Sequence, residues 1–172
     1  MKQKYTINQE SKSYLANLLA TERLEVQYRK TQTASFDVKN RVLTIPIWKK
    51  DLSEPVTDLF VSHEVGHALY TPMSLLIKSK KLKINHSIVN VVEDARIEKL
   101  IKRKYNGLRQ TYIRGYRELI ANNFFGTKDK DINEYLLIDR LNIHFKSSHA
   151  SSNVKFTDEE MKYVEMMNKL ET

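Results

Sequence analysis

Two histidines and a glutamate lie close together in the sequence Ser62-His63-Glu64-Val65-Gly66-His67-Ala68. Residues four positions apart share one face of a helix, so His63 and His67 can present two imidazole nitrogens to a single metal ion, with Glu64 beside them. In a catalytic zinc site, a neighbouring carboxylate accepts the proton of a metal-activated water as that water attacks a carbonyl group. Glu64 is therefore the candidate general base of a metal-dependent hydrolase.

Mostly apolar residues flank this motif, which predicts that its polar side chains are partly buried. Buried polar groups without partners are costly, so His63, Glu64 and His67 need compensation, and a metal ion supplies it. The alternative is a pair of core histidines satisfied by backbone or side-chain acceptors, or a solvated face. The chain contains no cysteine, so any metal must be held by histidine and carboxylate groups.

The next long helical segment is the expected source of a third ligand. Glu93 lies four residues after Val89 and four before Ile97, so an acid interrupts a row of apolar side chains. Such a residue is expected to be buried beside the histidine helix, where a metal ion would compensate its charge. We therefore predict that Glu93 is the third metal ligand.

Two further acids, Asp94 and Glu98, occupy neighbouring faces of the same segment. Either of them can accept a hydrogen bond from the far nitrogen of His63 or His67, as metal-binding histidines require. The alternative is that both acids belong, with Arg96, to a solvated charged face. The sequence leaves open which acid makes the hydrogen bond.

The pairing of His63-Glu64-x-x-His67 with Asn90-x-x-Glu93-Asp94-x-Arg96-Ile97-Glu98 resembles the gluzincin clan of zinc metallopeptidases. More narrowly, it is similar to metallopeptidase domains encoded by tailed bacteriophages and to those found beside von Willebrand A domains in bacterial chelatase-associated proteins. The resemblance implies one zinc ion per chain, bound by the two histidines and Glu93, with Glu64 as general base and acid. The better-known gluzincin pattern has an aspartate at the position of Ile97, which is a departure in this chain.

The resemblance also implies a zincin-like fold. In such a fold a small sheet packs on an active-site helix and a glutamate-bearing helix. An edge strand of that sheet, here Val42 to Ile47, would bind an extended peptide by strand addition.

Hydrophobic periodicity predicts an α+β fold with a mostly helical C-terminal half. Three β-prone segments, Leu24 to Tyr28, Ala34 to Val38 and Val42 to Ile47, predict a small antiparallel sheet. Pro46 has no amide hydrogen, which places the third segment at a sheet edge or a strand end. Helices are predicted over residues 8–20, 53–70, 86–105, 108–122, 132–145 and 158–170.

We expect residues 1–172 to form one domain, because a chain of 172 residues is too short for two separate cores. The polar segment from Ser147 to Asn153 resembles a linker, so residues 147–172 are expected to be loosely attached. In a regulated peptidase the last helix would cover the site.

A peptidase also needs a donor for the oxyanion that forms on the scissile carbonyl. Candidates after the glutamate segment are Tyr105, Tyr112 and Tyr116, and His144 and His149 lie near the end of the chain. We favour Tyr112 and Tyr116 as catalytic residues. Their four-residue spacing is also typical of core or groove-lining tyrosines.

The composition predicts a soluble, cytoplasmic protein, since no apolar stretch is long enough for a membrane span or a signal sequence. Twenty-nine lysines and arginines against 21 acids give a net charge of +8, which predicts a basic face.

The histidine motif and the resemblance together predict a zinc metallopeptidase that acts on a peptide or protein substrate. The alternative is a catalytically silent module of the same fold that binds nucleic acid or an acidic protein. Glu64 favours the enzyme, because a structural zinc site needs no carboxylate beside an open position.

Overall fold

The computed structural model describes residues 9–47, 52–128, 130–147 and 153–171. Within these residues, seven α-helices, one 3₁₀ helix and three β-strands form a mixed α+β structure in which helices predominate. The strands are β1 (Glu25–Arg29), β2 (Ser35–Asp37) and β3 (Val42–Pro46). The α-helices are α1 (Gln9–Ala20), α2 (Glu54–Tyr70), α3 (Met73–Lys81), α4 (His86–Lys104), α5 (Leu108–Ala121), α6 (Leu137–Lys146) and α7 (Asp158–Asn168).

The sheet has the order β1-β3-β2 and is mixed, because β1 runs parallel to β3 and β2 runs antiparallel to it. The prediction of an antiparallel sheet is therefore wrong for β1. Placing the Val42 to Ile47 segment at an edge is also wrong, since β3 is the central strand. β2 pairs with β3 only as far as Thr44, so Pro46 at the strand end has no β2 partner to which it would donate. The free edge of the sheet beside α2 belongs to β2.

Helix α2 lies at the centre of the packing and contacts α1, α4, α5 and the sheet. It begins after Ser53, whose side chain accepts a hydrogen bond from the amide of Val56. Its apolar residues surround the helix rather than forming one stripe, as expected of a buried helix. Burial of most of α2 fixes the positions of the two histidines that it carries.

Two glycines allow close approach of helices to α2. A Cβ atom at Gly66 would lie 2.8 Å from the side chain of Ile97, so its absence lets α4 pack tightly against α2. A Cβ atom at Gly115 would lie 2.8 Å from Leu59 Cδ1 and 3.0 Å from the backbone oxygen of Pro55. These contacts set the spacing of α2 from the helices on its two sides.

We expect Gly115→Ala to lower the free energy of unfolding by roughly 1 kcal/mol. Overpacking costs about 1–3 kcal/mol, which exceeds the gain of up to about 1 kcal/mol in helix propensity. Urea unfolding followed by circular dichroism measures the change. The control is Gly107→Ala, because a Cβ atom there meets nothing within 4 Å. Equal stability of the two variants would contradict the close packing of α5 on α2.

Helix α7 packs on α4 and α6 through a second, smaller cluster that includes the buried residues Leu141, Val164 and Met167. Lys99 Nζ also donates to the backbone oxygens of Asn168 and Leu170, at 2.7 and 2.6 Å. No described residue of α7 lines the cleft that contains the histidines. Most of the linker predicted over residues 147–153 lies outside the described residues. No helix of the described residues is long and apolar enough to cross a membrane.

Candidate metal centre

His63 and His67 lie one turn apart on α2 and face Asp94 of α4. Their ring centroids are 5.1 Å apart and the rings meet edge to face. Nε2 of His63 lies 3.5 Å from Asp94 Oδ1, and Nε2 of His67 lies 3.2 Å from the same oxygen. Together they form the one group of at least three histidine or acidic side chains in the described part of the chain whose ligand atoms converge closely enough to hold a metal ion.

The spacing of these atoms suits a tetrahedral metal. Bonds of about 2.1 Å at the tetrahedral angle put neighbouring ligand atoms about 3.4 Å apart. The separations of 3.5 and 3.2 Å between the imidazole nitrogens and Asp94 Oδ1 are close to this value. Two imidazoles and one carboxylate are also a ligand set that leaves a fourth position free. The triad of His63, His67 and Asp94 can therefore hold a metal ion.

Hydrogen bonds at the far nitrogens orient both rings. His63 Nδ1 lies 3.0 Å from Glu98 Oε1, and an ionised carboxylate only accepts, so this nitrogen carries the proton. His67 Nδ1 lies 2.9 Å from Thr71 Oγ1, whose hydroxyl donates to Glu93 Oε1 at 2.6 Å. Thr71 therefore accepts from His67. In the neutral imidazoles both Nε2 lone pairs are left for a metal.

Glu93, the predicted third ligand, is buried as expected but lies outside the triad. Its carboxylate accepts two hydrogen bonds of 2.8 Å from the Arg96 guanidinium, in addition to the bond from Thr71. Arg96 thus compensates the buried charge of Glu93, which was expected to be compensated by a metal ion. Adjacent residues of an α-helix point about 100° apart, so Glu93 faces the C-terminal end of α2 while Asp94 faces the imidazoles. Asp94, rather than Glu93, is therefore the acid that lies with the two imidazoles in the structure.

Glu98, rather than Asp94, accepts the hydrogen bond from the far nitrogen, Nδ1, of His63. Its side chain is 3% exposed. The carboxylate also accepts a hydrogen bond from the Tyr116 hydroxyl and forms an ion pair with Lys102. Burial raises the pKa of Glu98, but the hydrogen bond from His63 and the Lys102 charge outweigh it and hold that pKa below its usual range. The carboxylate is thus kept ionised behind His63.

The two tyrosines favoured as oxyanion donors are not placed for that role. Tyr116 lines the cleft, but its hydroxyl donates to Glu98, behind His63. Tyr112 is 3% exposed and does not line the cleft. Tyr105 donates to the backbone oxygen of Leu19 instead. The ring of His144 packs against two phenylalanines, and His149 lies outside the described residues.

Glu64 is 6% exposed and lines the same cleft as the triad. No hydrogen bond from a described residue reaches its carboxylate. Burial raises the pKa of Glu64, and the Asp94 charge raises it further, against the attraction of His63 and His67. A carboxyl group with a raised pKa is suited to accept a proton and return it.

The cleft around these residues has a volume of about 440 Å³. One wall is formed by residues 33–38 at the free edge of β2, and the other by the start of α4. Phe60, Phe124 and Phe125 make part of the lining apolar. Lys146, at the end of α6, also lines the cleft and donates to Asp94 Oδ2 at 2.8 Å. Sequence reasoning missed Lys146, because a lysine in the last turn of a helix is an ordinary feature.

Metal affinity should rise with pH. Burial lowers the pKa of His63, but the charges of Asp94 and Glu98 and the hydrogen bonds to them outweigh burial and raise it to about 10. The imidazole is therefore protonated at neutral pH in the absence of a metal, and binding must release that proton. We expect zinc affinity to increase by up to about tenfold per pH unit between pH 6 and 9. Competition with a chromogenic chelator, corrected for the chelator's own protonation, measures it, and a pH-independent affinity would contradict this electrostatic picture.

Comparison with protein-family models, with curated proteins and with solved structures gives no significant match for this chain.

Proposed function

We propose that this protein is a zinc-dependent metallopeptidase that hydrolyses peptide bonds in the cytoplasm. The observation that carries the proposal is the buried carboxylate of Glu64, which has no hydrogen-bond partner among the described residues and shares a cleft with the metal-binding triad. A triad with a purely structural role needs no such carboxylate and no open cleft.

Zinc held by His63, His67 and Asp94 would lower the pKa of water and polarise the substrate carbonyl. Glu64 accepts the proton of the attacking water and later donates it to the nitrogen of the departing amine. The hydrogen bonds that His63 donates to Glu98 and His67 donates to Thr71 hold the imidazoles in the tautomer that exposes Nε2.

The free edge of β2 borders the cleft, so an extended peptide can add to the sheet there. We therefore propose β2, rather than the Val42 to Ile47 segment, as the strand to which the substrate adds. The small sheet, the histidine helix and the acid-bearing helix support a zincin-like fold. Asp94 in place of Glu93 is a difference from the gluzincin ligand set. The proposed zinc chemistry does not depend on membership of that clan.

A library of quenched fluorescent peptides tests this function. Zinc-loaded protein should cleave a subset of the library, a chelator should abolish cleavage, and added zinc should restore it. Mass spectrometry of the products locates the scissile bond. Zinc-loaded protein that leaves every peptide and an unfolded protein such as casein intact would overturn the proposal.

The alternative function is a silent module that binds nucleic acid or an acidic protein. It is favoured by one observation, a cavity of about 310 Å³ lined by Lys99, Lys102, Arg103 and Arg109. Binding of this kind should weaken steeply with salt, because phosphate contacts release counterions. Titration of a fluorescent DNA duplex at two salt concentrations would reveal nucleic-acid binding, and the absence of binding at low salt would exclude duplex DNA as the partner.

A further inference from the structure

Lys146 lies at the edge of the metal centre without a role in the chemistry described so far. We propose that Lys146 is a catalytic residue whose ammonium group stabilises the oxyanion formed on the scissile carbonyl. This inference rests on the proposed peptidase function and adds the residue that the tyrosines do not supply.

The position of Lys146 is fixed by Asp94. Its Nζ donates to Asp94 Oδ2 at 2.8 Å, while Oδ1 of the same carboxylate faces the two imidazoles. A single carboxylate group therefore separates the ammonium from the metal-binding nitrogens. The Lys146 side chain is 16% exposed and lines the cleft, so it is held in place and still reaches the substrate space.

The Lys146 ammonium group has N–H donors that no described residue uses. A lysine ammonium carries three N–H groups, and Asp94 Oδ2 is the one acceptor that the described residues give it. Two donors remain for a group in the cleft. Lys146 is also the only lysine or arginine among the described residues that line this cleft.

The chemistry requires a positive or donating group at this point. The oxygen of water forms a bond to the carbonyl carbon, Glu64 accepts the water proton, and the carbonyl π electrons move onto oxygen. Lys146 donates a hydrogen bond to that oxygen, which carries a negative charge only in the tetrahedral state. When the carbonyl re-forms, the C–N bond breaks and Glu64 returns its proton to the amine. Preorganised donors at a developing oxyanion are worth far more in a partly buried site than in water.

Lys146→Met tests the proposal, with Lys146→Arg as the conservative variant and Lys78→Met as the control. Lys78 is exposed on α3 and lies outside the cleft, so the control removes the same charge without touching the site. All four proteins are loaded with zinc, and zinc affinity is measured by chelator competition. The readouts are kcat and KM on a fluorescent peptide, and the Kd of a phosphinic peptide, whose tetrahedral P–O⁻ group mimics the oxyanion.

Lys146→Met should lower kcat by about 10²- to 10³-fold while KM changes little. The Kd of the phosphinic peptide should rise in parallel with the fall in kcat/KM, since both report transition-state binding. Zinc affinity should stay within the 10- to 100-fold change expected for loss of a hydrogen bond to a ligand. Lys146→Arg should recover part of kcat, and Lys78→Met should match wild type.

Two results would overturn this role. If wild type is active and Lys146→Met keeps its kcat and its affinity for the phosphinic peptide, Lys146 is not a catalytic residue. If excess zinc restores full activity to Lys146→Met, the residue only positions Asp94. A wild-type protein that binds zinc but neither cleaves peptides nor binds the phosphinic peptide would overturn the peptidase function itself.

Discussion

Glu64→Gln should lower kcat for peptide cleavage by about 10²- to 10⁴-fold, the usual contribution of a general base. The amide has nearly the same shape as the carboxylate but cannot accept the water proton at neutral pH. Glu64 is not a member of the triad, so zinc should be retained. Zinc content by elemental analysis and kcat on a fluorescent peptide measure the two effects on one preparation.

The matched control is Glu54→Gln, which makes the same change on the same helix. The Glu54 side chain is 80% exposed and lies far from the cleft, in the first turn of α2. We expect this variant to keep both zinc and activity. A Glu64→Gln variant as active as this control would show that another group accepts the proton.

Asp94→Asn should weaken zinc binding more than Glu93→Gln, because Asp94 is the proposed metal ligand and Glu93 only orients His67 through Thr71. Asp94 Oδ1 faces both imidazoles, whereas the Glu93 carboxylate acts on His67 only through Thr71. We expect Glu93→Gln to weaken zinc binding by about 10- to 100-fold, as loss of an outer hydrogen-bond partner does. Asp94→Asn removes a direct ligand and should weaken it by more.

The same pair of variants has a second readout in stability. Glu93→Gln weakens a buried ion pair with Arg96, so we expect the metal-free variant to lose about 1–3 kcal/mol of unfolding free energy. Metal titration and urea unfolding on both variants give the comparison. A larger loss of zinc from Glu93→Gln than from Asp94→Asn would indicate that Glu93 is the third ligand, as the gluzincin resemblance implies.

Local patterns in the sequence predicted most of the helices. The predicted span 53–70 is close to α2 at Glu54–Tyr70, and 86–105 is close to α4 at His86–Lys104. Both helices begin after a residue whose side chain caps them, and both are long, with 17 and 19 residues. The predicted helix over 132–145 is shorter, with a 3₁₀ turn at Ile132–Glu134 before α6 begins at Leu137. Helix α3 was missed, because it has only nine residues, none of them buried, and no side-chain cap at its start.

The sheet could not be predicted from its strands alone. Three short segments specify their own extended conformation, but the order and direction of pairing depend on tertiary contacts. Pro46 was expected to place its segment at a sheet edge or a strand end. The second alternative holds: Pro46 is the last residue of the central strand β3, beyond the point where β2 has ended. The free edge beside the cleft therefore belongs to β2 rather than to β3.

The motif correctly predicted that His63 and His67 share one face of a helix, because their four-residue spacing is a property of the helix itself. The third ligand depends on how α4 is rotated against α2. The apolar row through Glu93 correctly predicted burial, but burial does not identify the partner, which is Arg96. Lys146 comes from α6, far along the chain, and no local pattern connects it with the motif.

We propose that His63, His67 and Asp94 bind one metal ion, and every catalytic role proposed above depends on that ion. A crystal of zinc-soaked protein, with diffraction recorded on both sides of the zinc absorption edge, tests it most directly. We predict a single anomalous peak at about 2.0–2.2 Å from Nε2 of His63, Nε2 of His67 and a carboxylate oxygen of Asp94. A peak bonded to Glu93 instead of Asp94, or no peak between the histidines, would contradict it.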